Sequence, residues 1–304
     1  MATLEDVHPG RALDLRAVDA ALRRMARAEQ APWLHAEVAR RMGERLALIR
    51  LKPALVIDWW GHVGASAAVL QQAHPQARRV VVEPTQALLE RSLQAGRAPW
   101  WSARRWSTTA ADVQLESAPL PQTVQMVWAN MMLHAVDDPP ALFDRWQQAL
   151  GIDGFVMFSC LGPGTLRELR TLYQRLGWGP ATPAFIDMHD LGDMLVRAGF
   201  ADPVMDQEVL SLRWDSPQAL LDELRSVGRN AAPQRFSGLR TPRWRDRLLA
   251  ELEALRGPDG KVALSFEVAY GHAFKAAVRA RPGEPTTVSL EAMRAMVRST
   301  RGPA

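Results

Sequence analysis

Asp58-Trp-Trp-Gly-His-Val-Gly64 closes an apolar run, Ala54-Leu-Val-Ile-Asp58, that reads as a buried parallel strand. Glycines such as Gly61 and Gly64 let a backbone approach a ligand closely. A second run, Arg79-Val-Val-Val-Glu83, also ends in an acid, and a carboxylate there can accept hydrogen bonds from ribose hydroxyls. A surface carboxylate is the other reading of Glu83. Asn130 and Met131 follow a third run, Val124–Trp128. In open parallel sheets, ligands bind just outside such carboxyl ends of strands. The set Asp58, Gly61, Gly64, Glu83, Asn130 and Met131 therefore suits a nucleoside-containing cofactor.

The elements that must position these residues alternate between strand and helix. Residues 17–49 have apolar positions at helical spacing, including Val38, Met42, Leu46 and Ile49. Strands are expected at 54–58, 79–83, 124–128 and 154–159, with helices at 64–73 and 140–149 between them. Helices follow near 164–177 and 189–198, then strands at 204–214 and 262–274 around a helical, Arg-rich stretch. That order predicts a doubly wound sheet.

The bulk composition narrows the function. A chain of 304 residues that is 47% hydrophobic can bury a large core, and no apolar run approaches the ~20 residues of a membrane span. The start, MATLEDVHPG, lacks a basic-then-apolar leader, so a cytoplasmic protein is expected. Cys160 is the single cysteine, which excludes an internal disulfide, and the seven histidines show no metal-ligand spacing, so no metal is expected. A net charge of +4 is too small to imply nucleic acid; it suits docking to an acidic protein, or simply a solvated surface.

Three longer segments carry a family resemblance. Phe158-Ser-Cys-Leu-Gly-Pro-Gly-Thr-Leu-Arg-Glu-Leu-Arg170, Phe185-Ile-Asp-Met-His-Asp-Leu-Gly-Asp193 continuing to Asp206, and Ser265-Phe-Glu-Val-Ala-Tyr-Gly-His272 resemble segments of the malonyl-acyl carrier protein O-methyltransferases. The resemblance runs from about residue 35 to 275. It implies a class I methyltransferase: a Rossmann-like, seven-stranded, mostly parallel sheet with helices on both faces. An N-terminal helical lid (1–50), a methyltransferase domain (51–278) with a helical insert at about 216–258, and a tail (279–304) go with it.

The implied reaction moves a methyl group from S-adenosylmethionine to the free carboxylate of a malonyl thioester, in biotin precursor synthesis. The thioester is carried by acyl carrier protein or by coenzyme A. The carboxylate is ionised at neutral pH, so no strong general base is needed. A cation should hold it; Arg167, Arg170 and His189, all on family-like segments, are the candidates, with a helix-surface position for Arg170 and a capping position for His189 as alternatives.

The resemblance departs from the family in the first half. Trp60 and His62 stand where the family's first loop has glycines. Gln114-Leu115 replaces its acidic pair, for which Asp112 would serve only if the loop shifts, and Met25-Ala-Arg-Ala-Glu29 lacks the family's lid tyrosine. Trp59, Trp60, Trp100, Trp101 and Trp106 read as packing, with stacking on adenine open to one of them. A second reading is a methyltransferase fold without donor binding, holding acyl carrier protein through Arg225, Arg229, Arg240, Arg243, Arg245 and Arg247. A nicotinamide-dependent dehydrogenase would share the loop and the ribose acid, but the segment after the fifth strand argues against it.

Overall fold

The computed structural model describes residues 12–96 and 111–277. The expected tail, Trp100, Trp101 and Trp106 lie outside the described residues.

Two helices come first, α1 (Leu15–Arg27) and α2 (Trp33–Leu46). The single helical stretch expected over 17–49 is broken because Pro32 supplies no N–H and has extended backbone, so the chain restarts at Trp33. The chain then alternates through β1 (Leu55–Trp59), the short α3 (Gly61–Gly64), α4 (Ala67–Ala73), β2 (Arg78–Glu83), α5 (Gln86–Ala95), β3 (Asp112–Leu115) and β4 (Val124–Ala129). A 3-10 turn (Leu133–Ala135), α6 (Pro139–Ala149), β5 (Leu150–Leu161), α7 (Arg167–Arg175), α8 (Met188–Arg197) and β6 (Ala201–Trp214) follow. The last elements are α9 (Pro217–Val227), α10 (Pro242–Glu253) and β7 (Val262–Phe274).

The seven strands form one sheet in the order β3-β2-β1-β4-β5-β7-β6. β1 to β5 pair in parallel, whereas β7 runs antiparallel between β5 and β6. This is the expected mostly parallel arrangement. β3 escapes the reading of apolar runs because Asp112-Val-Gln-Leu115 is a four-residue edge strand with no fully buried position.

Period-two alternation explains why helices cover both faces. Val56, Met126, Phe155 and Met157 point into one core, shared with Val38 and Met42 of α2, Leu172 of α7 and Leu252 of α10. Their neighbours Ile57, Val127, Val156 and Phe158 point into the other, shared with Leu22 of α1, Leu88 of α5, Trp146 of α6 and Leu195 of α8. Trp59 meets Trp146 edge-on, ring centroids 5.7 Å apart, so it is a packing residue as expected. Cys160 is buried in the second core. No described helix is long and apolar enough to cross a membrane.

Candidate active site

The strands β1, β4 and β5 all end at one cavity of about 830 Å³. Three residues in left-handed backbone conformation follow those ends: Trp60 (φ 54°), Met131 (φ 53°) and Leu166 (φ 53°). None is glycine, and such a conformation costs a residue with a Cβ roughly 1–2 kcal/mol. All three line the cavity, together with His35, Val63, His134 and Leu161. Strain concentrated where three strand ends meet is typical of a functional site.

The loop after β1 keeps the conformation of a glycine turn without the glycine. The Trp60 amide donates to the Val82 carbonyl (2.7 Å) and its indole Nε1 to Glu116 Oε2 (3.1 Å). These bonds offset the cost of the left-handed backbone. Gly61 is required by space: a Cβ there would lie 2.5 Å from an Asp58 carboxylate oxygen. A Cβ on Gly64 would come within 2.9 Å of Ser66 Oγ. Asp58 is buried, and burial pushes its carboxyl up to about 6, against the pull of Arg79 at 4.0 Å.

Glu83 sits behind this loop, fully buried. Its Oε1 accepts from the His62 amide (2.8 Å) and the Ser92 hydroxyl (2.6 Å). Its Oε2 is buried without a partner among the described residues. Burial pushes the carboxyl up to about 7; the hydrogen bonds from Ser92 and His62 oppose this, and the Asp58 charge adds to it. The His62 imidazole is held below its usual value by burial and by the Arg91 charge. After β3, the acid in place is Glu116, one residue past the strand; Asp112 pairs with Arg78 (2.7 Å) at its far end.

Asn130 ties the site together from inside. Its Nδ2 donates to the carbonyls of Gly64 (2.6 Å) and His35 (2.8 Å), and its Oδ1 accepts from the Ser159 hydroxyl (2.7 Å). Ser159 in turn accepts the Met131 amide at 3.0 Å. Residues of α2, β5 and the loops after β1 and β4 are thereby locked to one side chain. The sequence reading placed Asn130 and Met131 against a cofactor; the structure places Asn130 as a buried clamp and Met131 on the cavity wall.

His35 was missed by sequence reasoning, since nothing distinguishes it from the apolar face of its helix. It is buried, with Nδ1 2.7 Å from the Val63 carbonyl oxygen. A carbonyl can only accept, so Nδ1 carries the proton and Nε2 is left as an acceptor. Nε2 has no partner among the described residues, and burial holds the ring down to about 4, hence neutral.

Arg167, Arg170 and His189 are not among the residues lining the cavity. Arg167 pairs with Glu168 at the surface (3.1 Å), Arg170 donates to the Pro163 carbonyl, and the His189 ring bonds to Asp187 (2.7 Å), the N-cap of α8. The cavity's cations are instead Arg24, Arg225, Arg229, Arg240 and Arg245.

No family model matches the chain. It is, however, 37% identical over 259 residues to the malonyl-[acyl-carrier protein] O-methyltransferase of Laribacter hongkongensis, covering 83% of this chain and 86% of that protein. It is 38% identical over 252 residues to the enzyme of the same name from Gallionella capsiferriformans, covering 81% and 85%. The chain belongs to the malonyl-acyl carrier protein O-methyltransferase family. The crystal structure of the YcgJ protein of Bacillus subtilis superimposes with a TM-score of 0.52 at 12% identity, covering 78% of this chain and 99% of that one, which shows the shared fold. The expected class I methyltransferase architecture is borne out.

The residues of this methyltransferase fit S-adenosylmethionine in kind. The cavity volume lies within the ~300–1,000 Å³ usual for small-molecule sites. Buried acceptors that lack donors among the described residues include His35 Nε2 and Glu83 Oε2, and buried polar atoms are normally paired. Ribose hydroxyls and an α-ammonium group are donors of the matching kind.

Proposed function

We propose that this protein transfers a methyl group from S-adenosylmethionine to the free carboxylate of a malonyl thioester on acyl carrier protein, in the cytoplasm, as a step toward biotin. The observation that carries this reading is the cavity at the ends of β1, β4 and β5, with the unsatisfied buried acceptor His35 Nε2 among its lining residues. Bound there, S-adenosylmethionine supplies an electrophilic methyl group. His35 Nε2, on the cavity wall, would accept from its ammonium group, and Glu83 Oε2, behind the loop after β1, from its ribose hydroxyls. Val63, Met131, Leu161 and Phe185 wall the cavity with apolar surface and exclude water.

The accepting carboxylate is already ionised near neutral pH, so alignment rather than proton removal is the protein's task. That accords with a cavity whose described lining holds no aspartate or glutamate to act as a base; Glu83 lies outside that lining, behind the loop after β1. The test is calorimetric titration with S-adenosylhomocysteine, paired with methyl transfer to malonyl-acyl carrier protein. Saturable binding that is weakened in Glu83→Gln, with turnover, supports the reading; no heat at millimolar ligand from a folded sample overturns it.

A further inference from the structure

The cavity's mouth carries a cluster of arginines that the donor does not require. Arg24 on α1 donates from Nη1 to the carbonyl of Arg225, in the last turn of α9, at 3.2 Å. Arg229 follows two residues past the end of that helix. All three line the cavity and all three are exposed. Only Arg225 has a carboxylate partner among the described residues, Asp222 at 2.9 Å; Arg24 and Arg229 have none. The Arg24 guanidinium is held below its ordinary value by partial burial and by the positive charges of Arg229 and Arg225.

Many other arginines among the described residues are neutralised. Arg40, Arg41, Arg45, Arg78, Arg145, Arg213 and Arg256 each pair with a carboxylate. Bringing cations together without a counter-charge is unfavourable, and the repulsion is relieved when an anion enters. The same cavity is lined by Tyr173, Trp244 and Phe266, so an anion held by the arginines could carry an uncharged body against apolar and aromatic walls.

We propose that Arg24, Arg225 and Arg229 form an anion-binding site at the cavity mouth that holds an oxyanion of the thioester substrate, either its carboxylate or a phosphate of its carrier arm. This rests on the methyl-transfer reading for the identity of the substrate, not for the existence of the site. Guanidinium groups suit both anions, because their paired N–H donors match the oxygens of carboxylate and phosphate. The site joins the first helix to the insert before β7, so substrate binding would also tie these two elements together.

The experiment measures binding of malonyl-coenzyme A, acetyl-coenzyme A and malonyl-pantetheine to wild type, Arg229→Ala, Arg24→Ala and Arg229→Lys. S-adenosylhomocysteine is titrated in parallel. The expected result is about three- to tenfold weaker malonyl-coenzyme A binding in each alanine variant, diminishing at high salt, with partial retention in Arg229→Lys. S-adenosylhomocysteine affinity should not change. A loss shared by malonyl-pantetheine but not acetyl-coenzyme A assigns the anion as the carboxylate; the reverse assigns it as the phosphate. Unchanged affinity for all three thioesters in both alanine variants overturns the inference and leaves the function standing. Absence of S-adenosylhomocysteine binding in wild type overturns the function instead, while the thioester titrations still report on the arginines.

Discussion

The indole of Trp60 donates a hydrogen bond to Glu116, 3.1 Å away, and so latches the loop after β1 onto the chain that leaves β3. The Arg145 guanidinium also donates to both the backbone carbonyl and the carboxylate of Glu116. Trp60 holds a left-handed backbone, the conformation most easily adopted by glycine, while its side chain makes the bond to Glu116.

If the latch competes with the donor, releasing it should favour binding. Glu116→Ala frees the indole, and Trp60→Gly removes both the side chain and the left-handed strain. Both variants should bind S-adenosylhomocysteine more tightly than wild type, by about tenfold for the loss of one hydrogen bond. Isothermal titration checks this, and equal or weaker binding in both variants would show that the latch does not oppose the donor.

Glu83 should make donor affinity and stability depend on pH in opposite ways. Its carboxyl is raised to about 7 by burial, so the folded chain binds more protons than the unfolded chain above about pH 4.5. Its contribution to stability is complete below the unfolded value and is lost as pH rises through about 7. Glu83→Gln should therefore be more stable than wild type at pH 8, by up to about 3 kcal/mol, and lose that advantage near pH 4.5. Thermal melts of the two proteins across this range give the answer. Ribose hydroxyls bond more strongly to an ionised carboxylate than to a neutral one, so wild-type affinity for S-adenosylhomocysteine should fall as pH drops below 7.

His35 offers a cleaner probe of the donor's ammonium end. Replacing His35 with Leu removes the Nε2 acceptor, and a hydrogen bond to a charged group is worth about 1.5–3 kcal/mol. The expected loss in S-adenosylhomocysteine affinity is roughly ten- to a hundredfold, with His35→Gln retaining more of it because its amide oxygen can accept. Adenosine, which lacks the ammonium, should bind both variants alike. An equal loss for adenosine would mean that His35 supports the loop through Val63 rather than the ligand.

Asn130→Ala should unfold the site and weaken the whole fold. It would leave the carbonyls of Gly64 and His35 and the Ser159 hydroxyl without their buried partner. Each unsatisfied group costs about 1–3 kcal/mol, so a loss of about 3 kcal/mol in denaturant unfolding is expected. Asn130→Asp should fare as badly, because a carboxylate cannot donate to two carbonyls.

The apolar runs ending at Asp58, Glu83 and Trp128 determined by themselves where three parallel strands would lie, because a strand buried on both faces must be apolar nearly throughout. The segments around 158–170, 185–206 and 265–272 were enough to place the chain in its family. The edge strand at Asp112 escaped, since a short, half-buried strand leaves no such signature. Tertiary structure alone decided what the site is made of. Arg167 and Arg170 lie on a family-like segment, yet the side chains turn to Glu168 and Pro163, whereas Arg24 and Arg229 meet at the cavity from opposite ends of the chain. His35 gains its tautomer from Val63, and Trp60 its latch from Glu116. These partners are dozens to hundreds of residues apart, and only the packing of helices on the sheet brings them within hydrogen-bonding distance.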